Sequence, residues 1–408
     1  MKQRRPLVLS LVLGFAMVIV GAAVAYAHGE RSQEGFLRMQ TVAFYDVNFS
    51  TDTVKQGEEL TITGKVKVLD TWPNNLAQPD VGFIGVIAPG PVVLLKDRVI
   101  NGAEAPDAIY IKKGDIYEFK LTVEGRAPGQ WHVHPSFAVS GAGTLLGPGK
   151  WITVQDAGGF SNPIQLLNGQ TINLENYGLG QLVIWHWLGF FLGLGWMVYW
   201  TGPKPTVTRL PITLRIPLNT DGQDVGLITK KDHQVVNLFA LATIALLVIG
   251  WIYIQAAYPV RIPQQVLRFA PPEISAPAAP AKVNPGLASY DQDSQTVVLP
   301  MTVTNTGDKP LTVKQFTTSY FTFVNQSAGA TPSGEYQYPM TVDPAGPINP
   351  GETKTIKITI TNPLWSDERM VEVDKPMRTV AGMLFFVDSS GAQSEVDFLA
   401  DLEPKFKM

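Results

Sequence analysis

The chain has no cysteine in its 408 residues. That excludes disulfides, thiolate metal sites, thiol catalysis and iron–sulfur clusters. If such a chain is exported, its domains rely on ordinary apolar cores and not on cross-links. Histidine is almost as scarce, at five residues. Charge of one sign is missing too. Lys and Arg total 32 against 35 Asp and Glu, a net charge of -3. No long segment concentrates the basic residues, so nothing resembles a nucleic-acid-binding footprint. The glycine-rich stretch Gly141–Gly149 lacks the Lys-Ser/Thr ending of a phosphate loop and reads as a structural turn.

Long apolar runs are present, and they organise the chain. Lys2, Arg4 and Arg5 precede an apolar run from Leu7 to Ala25, which ends in Ala25-Tyr26-Ala27. A basic start, an apolar middle and a small-residue cleavage site make a secretory signal peptide over 1–27. The same run also reads as an uncleaved anchor helix. Leu179–Trp200 and Val235–Ala257 carry no charged residue and are long enough to cross a bilayer. Trp185, Trp187, Trp196, Tyr199 and Trp200 supply interfacial aromatics. The loop between the spans holds Lys204, Arg209, Arg215, Lys230 and Lys231, which places it in the cytoplasm and both flanking polar regions outside.

Those flanking regions read as β domains. Glu59–Val68 and Tyr117–Val123 alternate apolar and polar residues between turn signals at Lys113-Gly114-Asp115 and Ala127-Pro128-Gly129. Val297–Asn305 and Thr353–Ile360 repeat the pattern. Prolines from Pro271 to Pro280 mark a semi-rigid linker. The expected organisation is a signal peptide at 1–27, a β domain at 28–176, a transmembrane helix pair with its loop at 177–258, a linker at 259–282 and a second β domain at 283–408. The fold class is mainly β, two β-sandwich domains joined by a transmembrane helical hairpin.

The histidines carry the candidate chemistry. Cleavage after Ala27 makes His28 the first residue, with an amine and an imidazole able to chelate one ion. His132 and His134 stand two apart, on one face if Trp131–His134 is a strand. Nitrogen ligands without thiolate favour Cu(II), with zinc next. A lone His-x-His is often a surface accident; Trp131 and Pro135 around the pair argue for a strand end. Glu30 and Gln130 are candidates to hydrogen-bond a ligand, although Glu30 reads first as a solvated acid. His186 lies inside the first span and is expected to hydrogen-bond a neighbouring helix; His233 reads as an interfacial residue. The second β domain has no histidine, so it cannot hold a blue-copper centre.

The residues His28-Gly29-Glu30-Arg31-Ser32-Gln33 and Phe36-Leu37-Arg38-Met39 resemble the mature start of the B subunits of copper-containing membrane monooxygenases, the particulate methane, ammonia and short-hydrocarbon enzymes. Trp72-Pro73, Gln78-Pro79-Asp80, Pro128-Gly129-Gln130-Trp131-His132-Val133-His134, Gly147-Pro148-Gly149-Lys150-Trp151-Ile152 and Asn162-Pro163 extend the likeness. The resemblance implies that both β domains are cupredoxin-like. It implies copper on His28, His132 and His134, and partner subunits A and C in a trimer of heterotrimers. Methane-oxidising relatives carry a further two-histidine site, and Ala43 and Lys67 stand at those positions here, so one copper is expected.

The chain therefore reads as a copper-holding component of a complex in a bacterial cytoplasmic or intracytoplasmic membrane, with both β domains on the extracytoplasmic side. The complex would use O₂ to hydroxylate a small molecule: methane, ammonia or a short hydrocarbon. No catalytic residue is assigned, and no nucleic-acid partner is expected. Two other classes remain open at this point: a membrane-anchored copper-binding or assembly protein without oxygenase activity, and a zinc hydrolase using three histidines and a water.

Overall fold

The computed structural model describes residues 33–202, 229–258, 267–274, 279–374 and 378–405. The signal segment, His28, Glu30 and most of the loop between the helices lie outside them. The contacts divide the chain into two units. One joins residues up to 158 with those from 266 onward; the other is 159–265.

Among the described residues, the first unit is all β apart from short helical turns, and both halves of the chain build it. In the N-terminal half, a five-stranded sheet runs in the order Val42–Phe49, Glu59–Val68, Ile116–Gly125, Val93–Ile100, Ala103–Glu104. A second sheet faces it, with Val81–Ile87, Gly129–Val139 and Lys150–Gln155 at its centre. The alternation read in Glu59–Val68 sends Leu60, Ile62, Val66 and Val68 into the core, each 1% exposed or less.

In the C-terminal half, nine strands form one sheet, and the pairing of Thr296–Asn305 with Thr353–Thr361 closes it on itself. The expected sandwich is thus a closed one, which leaves fewer open strand edges. Thr296–Asn305 alternates between buried and half-buried at every residue. Pro300 interrupts it without cost, because there the strand changes neighbours: residues 296–298 pair with 289–291, and 301–305 with 281–285.

The two halves pack together. Ala43, Tyr45, Leu69 and Ile116 share an apolar cluster with Met383 and Phe385, and the Tyr45 and Phe385 rings lie 5.3 Å apart. Arg38 Nη1 donates to the Glu368 carbonyl at 2.6 Å, Gln40 to Thr379 at 2.8 Å, and the Phe44 amide to the Ser319 carbonyl at 2.7 Å.

The second unit holds two long helices, Leu179–Thr201 and Lys230–Ala257, both long and apolar enough to cross a membrane. They run antiparallel, with Trp185 against Tyr253 (6.0 Å) and Trp196 against Phe239 (5.4 Å). Thr229 and Asp232 form a reciprocal cap at the start of the second helix. Tyr199 of the first helix donates to the same Asp232 carboxylate at 2.7 Å.

Candidate metal centre

His132 and His134 sit on the strand Gly129–Val139 at the point where it exchanges partners. On one edge, residues 129–133 pair with 150–154, setting His132 opposite Trp151. On the other edge, residues 134–139 pair with 82–87, setting His134 opposite Ile87. Gly143–Leu146 resumes pairing along the first edge, at 136–139. The three residues Gly147-Pro148-Gly149 therefore leave a break in the ladder beside His134. The glycine-rich stretch is a turn only at Gly141-Ala142; Gly143–Leu146 is a strand, and Gly147-Pro148-Gly149 is the cradle of this imidazole.

The cradle is tight. A Cβ on Gly149 would stand 2.5 Å from His134 Cε1 and 2.7 Å from both ring nitrogens. His134 Nδ1 lies 2.8 Å from the Gly147 carbonyl. A carbonyl only accepts, so Nδ1 carries the proton and Nε2 of the neutral ring is bare. That Nε2 lies 2.9 Å from Nδ1 of His132. The rings stand edge to face, with centroids 4.3 Å apart. His134 is buried, whereas His132 is half-exposed, with its ring 5.0 Å from Trp151.

The C-terminal half supplies the opposite wall. His132 and His134 line a cavity of about 340 Å³ together with Tyr320, Phe321, Tyr336 and Tyr338. The Tyr336 hydroxyl is 3.4 Å from His132 Nε2. Burial pushes the pKa of Tyr338 up, with the carboxylates of Glu368 and Glu335 adding to it, so this phenol keeps its proton at neutral pH; Asp367 and Glu368 line the same cavity. The ligand pattern in the sequence did not announce this wall, because tyrosines that only line a metal site carry no ligand signature. The spacing Tyr336-Gln337-Tyr338, two tyrosines two residues apart at the start of the strand Gln337–Asp343, was the available signal.

Two nitrogens, each about 2.0 Å from one ion, stand about 2.8–3.3 Å apart at square to tetrahedral angles. The spacing of the pair fits that span, and the carbonyl on the outer nitrogen of His134 is the usual support of a ligating imidazole. Among the described residues, no third His, Asp or Glu completes a metal-holding cluster. His28 lies outside them. His186 is exposed on its helix with its ring 6.2 Å from Trp187, and no hydrogen bond from its ring to the other helix is found among the described residues.

Ala43 and Lys67 are register partners on adjacent strands. Lys67 Nζ lies 2.9 Å from Asp397 and 3.9 Å from Glu395, both on the strand Gln393–Lys405. An ammonium held between two carboxylates thus occupies the position where the resemblance places a second pair of histidines in relatives.

Comparison with known proteins finds relatives of the chain as a whole. A family model described as that of the monooxygenase B-subunit protein matches residues 29–406. The particulate methane monooxygenase alpha subunit of Methylococcus capsulatus is 34% identical over 98% of this chain and 97% of its own. Among solved structures, the cupredoxin domain of amoB from Nitrosocaldus yellowstonii is 18% identical, covering 29% of this chain and 90% of that one, with a TM-score of 0.24. A cohesin module from Clostridium perfringens is 8% identical, covering 29% of this chain and 98% of its own, with a TM-score of 0.18. With the family match running through both β regions and both helices, this chain belongs to the family of monooxygenase B-subunit proteins.

Proposed function

We propose that this chain holds one copper ion through His28, His132 and His134, within a membrane complex that hydroxylates methane, ammonia or a short hydrocarbon with O₂. Subunits A and C are its partners, and both β regions lie on the extracytoplasmic face. The observation that carries the metal reading is the 2.9 Å approach of two imidazole nitrogens, one of them made bare by the Gly147 carbonyl. Both β regions are cupredoxin-like in this reading, and only the N-terminal one supplies ligands.

The N-terminal histidine is within reach. Gln33 donates to the Thr144 carbonyl at 2.7 Å. The five residues back to His28 span up to about 17 Å when extended. The distance from Thr144 to the break at Gly147 is about 10 Å along a strand. Copper, when bound, supplies one-electron redox chemistry to the complex. The chain's own residues hold and orient it: Gly147 fixes the His134 tautomer, and Gly149 leaves room for the ring.

The test is copper content of the purified full-length complex. Replacing both His132 and His134 with Ala should remove about one copper per copy of this chain. Undiminished copper in that double variant would refute the site. The full chain is required, because an isolated N-terminal half would expose Ala43, Tyr45, Leu69 and Lys67, which the other half buries. Intact mass of the chain checks the third ligand. A chain beginning at His28 is expected, and one beginning at Met1 would remove the amine from the donor set.

A further inference from the structure

The two histidines of the pair have different outer partners, and the difference has a chemical consequence. His134 Nδ1 faces a carbonyl, so its tautomer is the same whether or not a metal is present. The outer nitrogen of His132, Nε2, faces a hydroxyl and not a carbonyl. Without metal, the 2.9 Å contact with the bare Nε2 of His134 requires a proton on His132 Nδ1. His132 Nε2 is then bare, and its partner must donate. To ligate through Nδ1, His132 must release that proton and carry one on Nε2 instead. Its partner must now accept.

The group facing His132 Nε2 is the Tyr336 hydroxyl, 3.4 Å away. A phenol both donates and accepts. A carbonyl in the same place would satisfy only the ligating tautomer, and an ammonium only the metal-free one. The Tyr336 ring is held in place independently of His132, 5.3 Å from Tyr320 and 6.2 Å from Phe321. Its residue lies in the segment just before Gln337–Asp343, and its carbonyl accepts from the Thr322 amide at 3.0 Å.

We propose that Tyr336 is a positioning residue that permits His132 to change tautomer as the site loads. It donates to Nε2 when the site is empty and accepts from Nε2–H when Nδ1 takes the ion. The imidazole is neutral in both states: one proton leaves Nδ1 and one is gained at Nε2, with water as the carrier. The C-terminal β region, which contains no histidine, thereby takes part in metal binding. This rests on the copper reading above.

The test is Tyr336→Phe in the full-length complex, beside the His132→Ala, His134→Ala double variant. Phenylalanine keeps the ring contacts and removes only the oxygen. Cu(II) affinity by chelator competition should fall on the order of tenfold, as for other groups that support a ligating imidazole. The Cu(II) electron paramagnetic resonance signal lost in the double variant should persist in Tyr336→Phe with altered hyperfine splitting. A merely structural tyrosine would not move that splitting. Unchanged affinity and a superimposable spectrum in Tyr336→Phe, with copper lost in the double variant, would overturn the proposal alone. Copper retained in the double variant would overturn both the site and the proposal.

Discussion

Gly149→Ala is expected to cost the histidine pair its copper while every ligand remains in the chain. The new methyl would stand 2.5–2.7 Å from three atoms of the His134 ring, far inside contact distance. The ring is buried, and its Nδ1–H is already committed to Gly147, so it can yield only by leaving that carbonyl. A displacement of about an ångström breaks that hydrogen bond and the 2.9 Å spacing to His132 together. Copper affinity should fall by about a hundredfold, the upper end of what losing a ligand's support costs. The fold should lose only about 1–3 kcal/mol, the usual cost of one methyl too many. Chelator competition and thermal melting on the same sample separate the two effects. Wild-type affinity in this variant would show that the ring position described here is not the one that binds metal.

Lys67→Met should be the most destabilising single change on the surface joining the two halves. The Lys67 and Asp397 side chains are 10% and 4% exposed. Asp397 also accepts from the Asp70 amide at 2.9 Å. Removing one partner of a buried ion pair leaves the other charge uncompensated, a loss of about 3–5 kcal/mol. In a unit of this size that lowers the melting temperature by roughly ten degrees.

The pH dependence has a definite sign. Burial raises the Asp397 pKa above its ordinary 3.8, and Lys67 opposes the rise. A carboxyl with a raised folded pKa contributes stability fully present below its unfolded pKa and lost as pH rises through the folded one. Removing Lys67 removes the opposition and enlarges that loss. The destabilisation of Lys67→Met should therefore be greatest at neutral pH and shrink as the pH falls toward the carboxyl's titration, where neutral Asp397 needs no cation. Adding Asp397→Asn should restore most of the stability at pH 7, because no buried charge remains. A pH-independent loss, or no recovery in the double variant, would show that the ion pair is not what holds Lys67 in place.

Much of this protein is readable from local pattern. The two helices are legible because span length and absence of charge are properties of a contiguous run, and Leu179–Trp200 and Val235–Ala257 lie within the helices observed. The strands Glu59–Val68, Thr296–Asn305 and Thr353–Thr361 follow from period-two alternation, in which each residue's neighbours declare its face. The approach of His132 to His134 follows from the same period. Other features were not legible. Nothing near Gly149 in sequence says that its missing side chain makes room for His134. Nothing near Lys67 names Asp397 as its partner.

By itself, then, the sequence determined the mainly β composition, the two apolar spans, the exclusion of thiol chemistry and the placing of two imidazoles on one strand face. Each of these depends on residues within a few positions of one another. Tertiary structure alone decided which nitrogen of His134 is bare, that Tyr336 faces His132, and that an ammonium between two carboxylates holds the two halves together beside Ala43. Those outcomes depend on which strands pair and where a ladder breaks. The first is set by a carbonyl in the next strand connection, and the other two by the packing of segments hundreds of residues apart, which no local periodicity encodes.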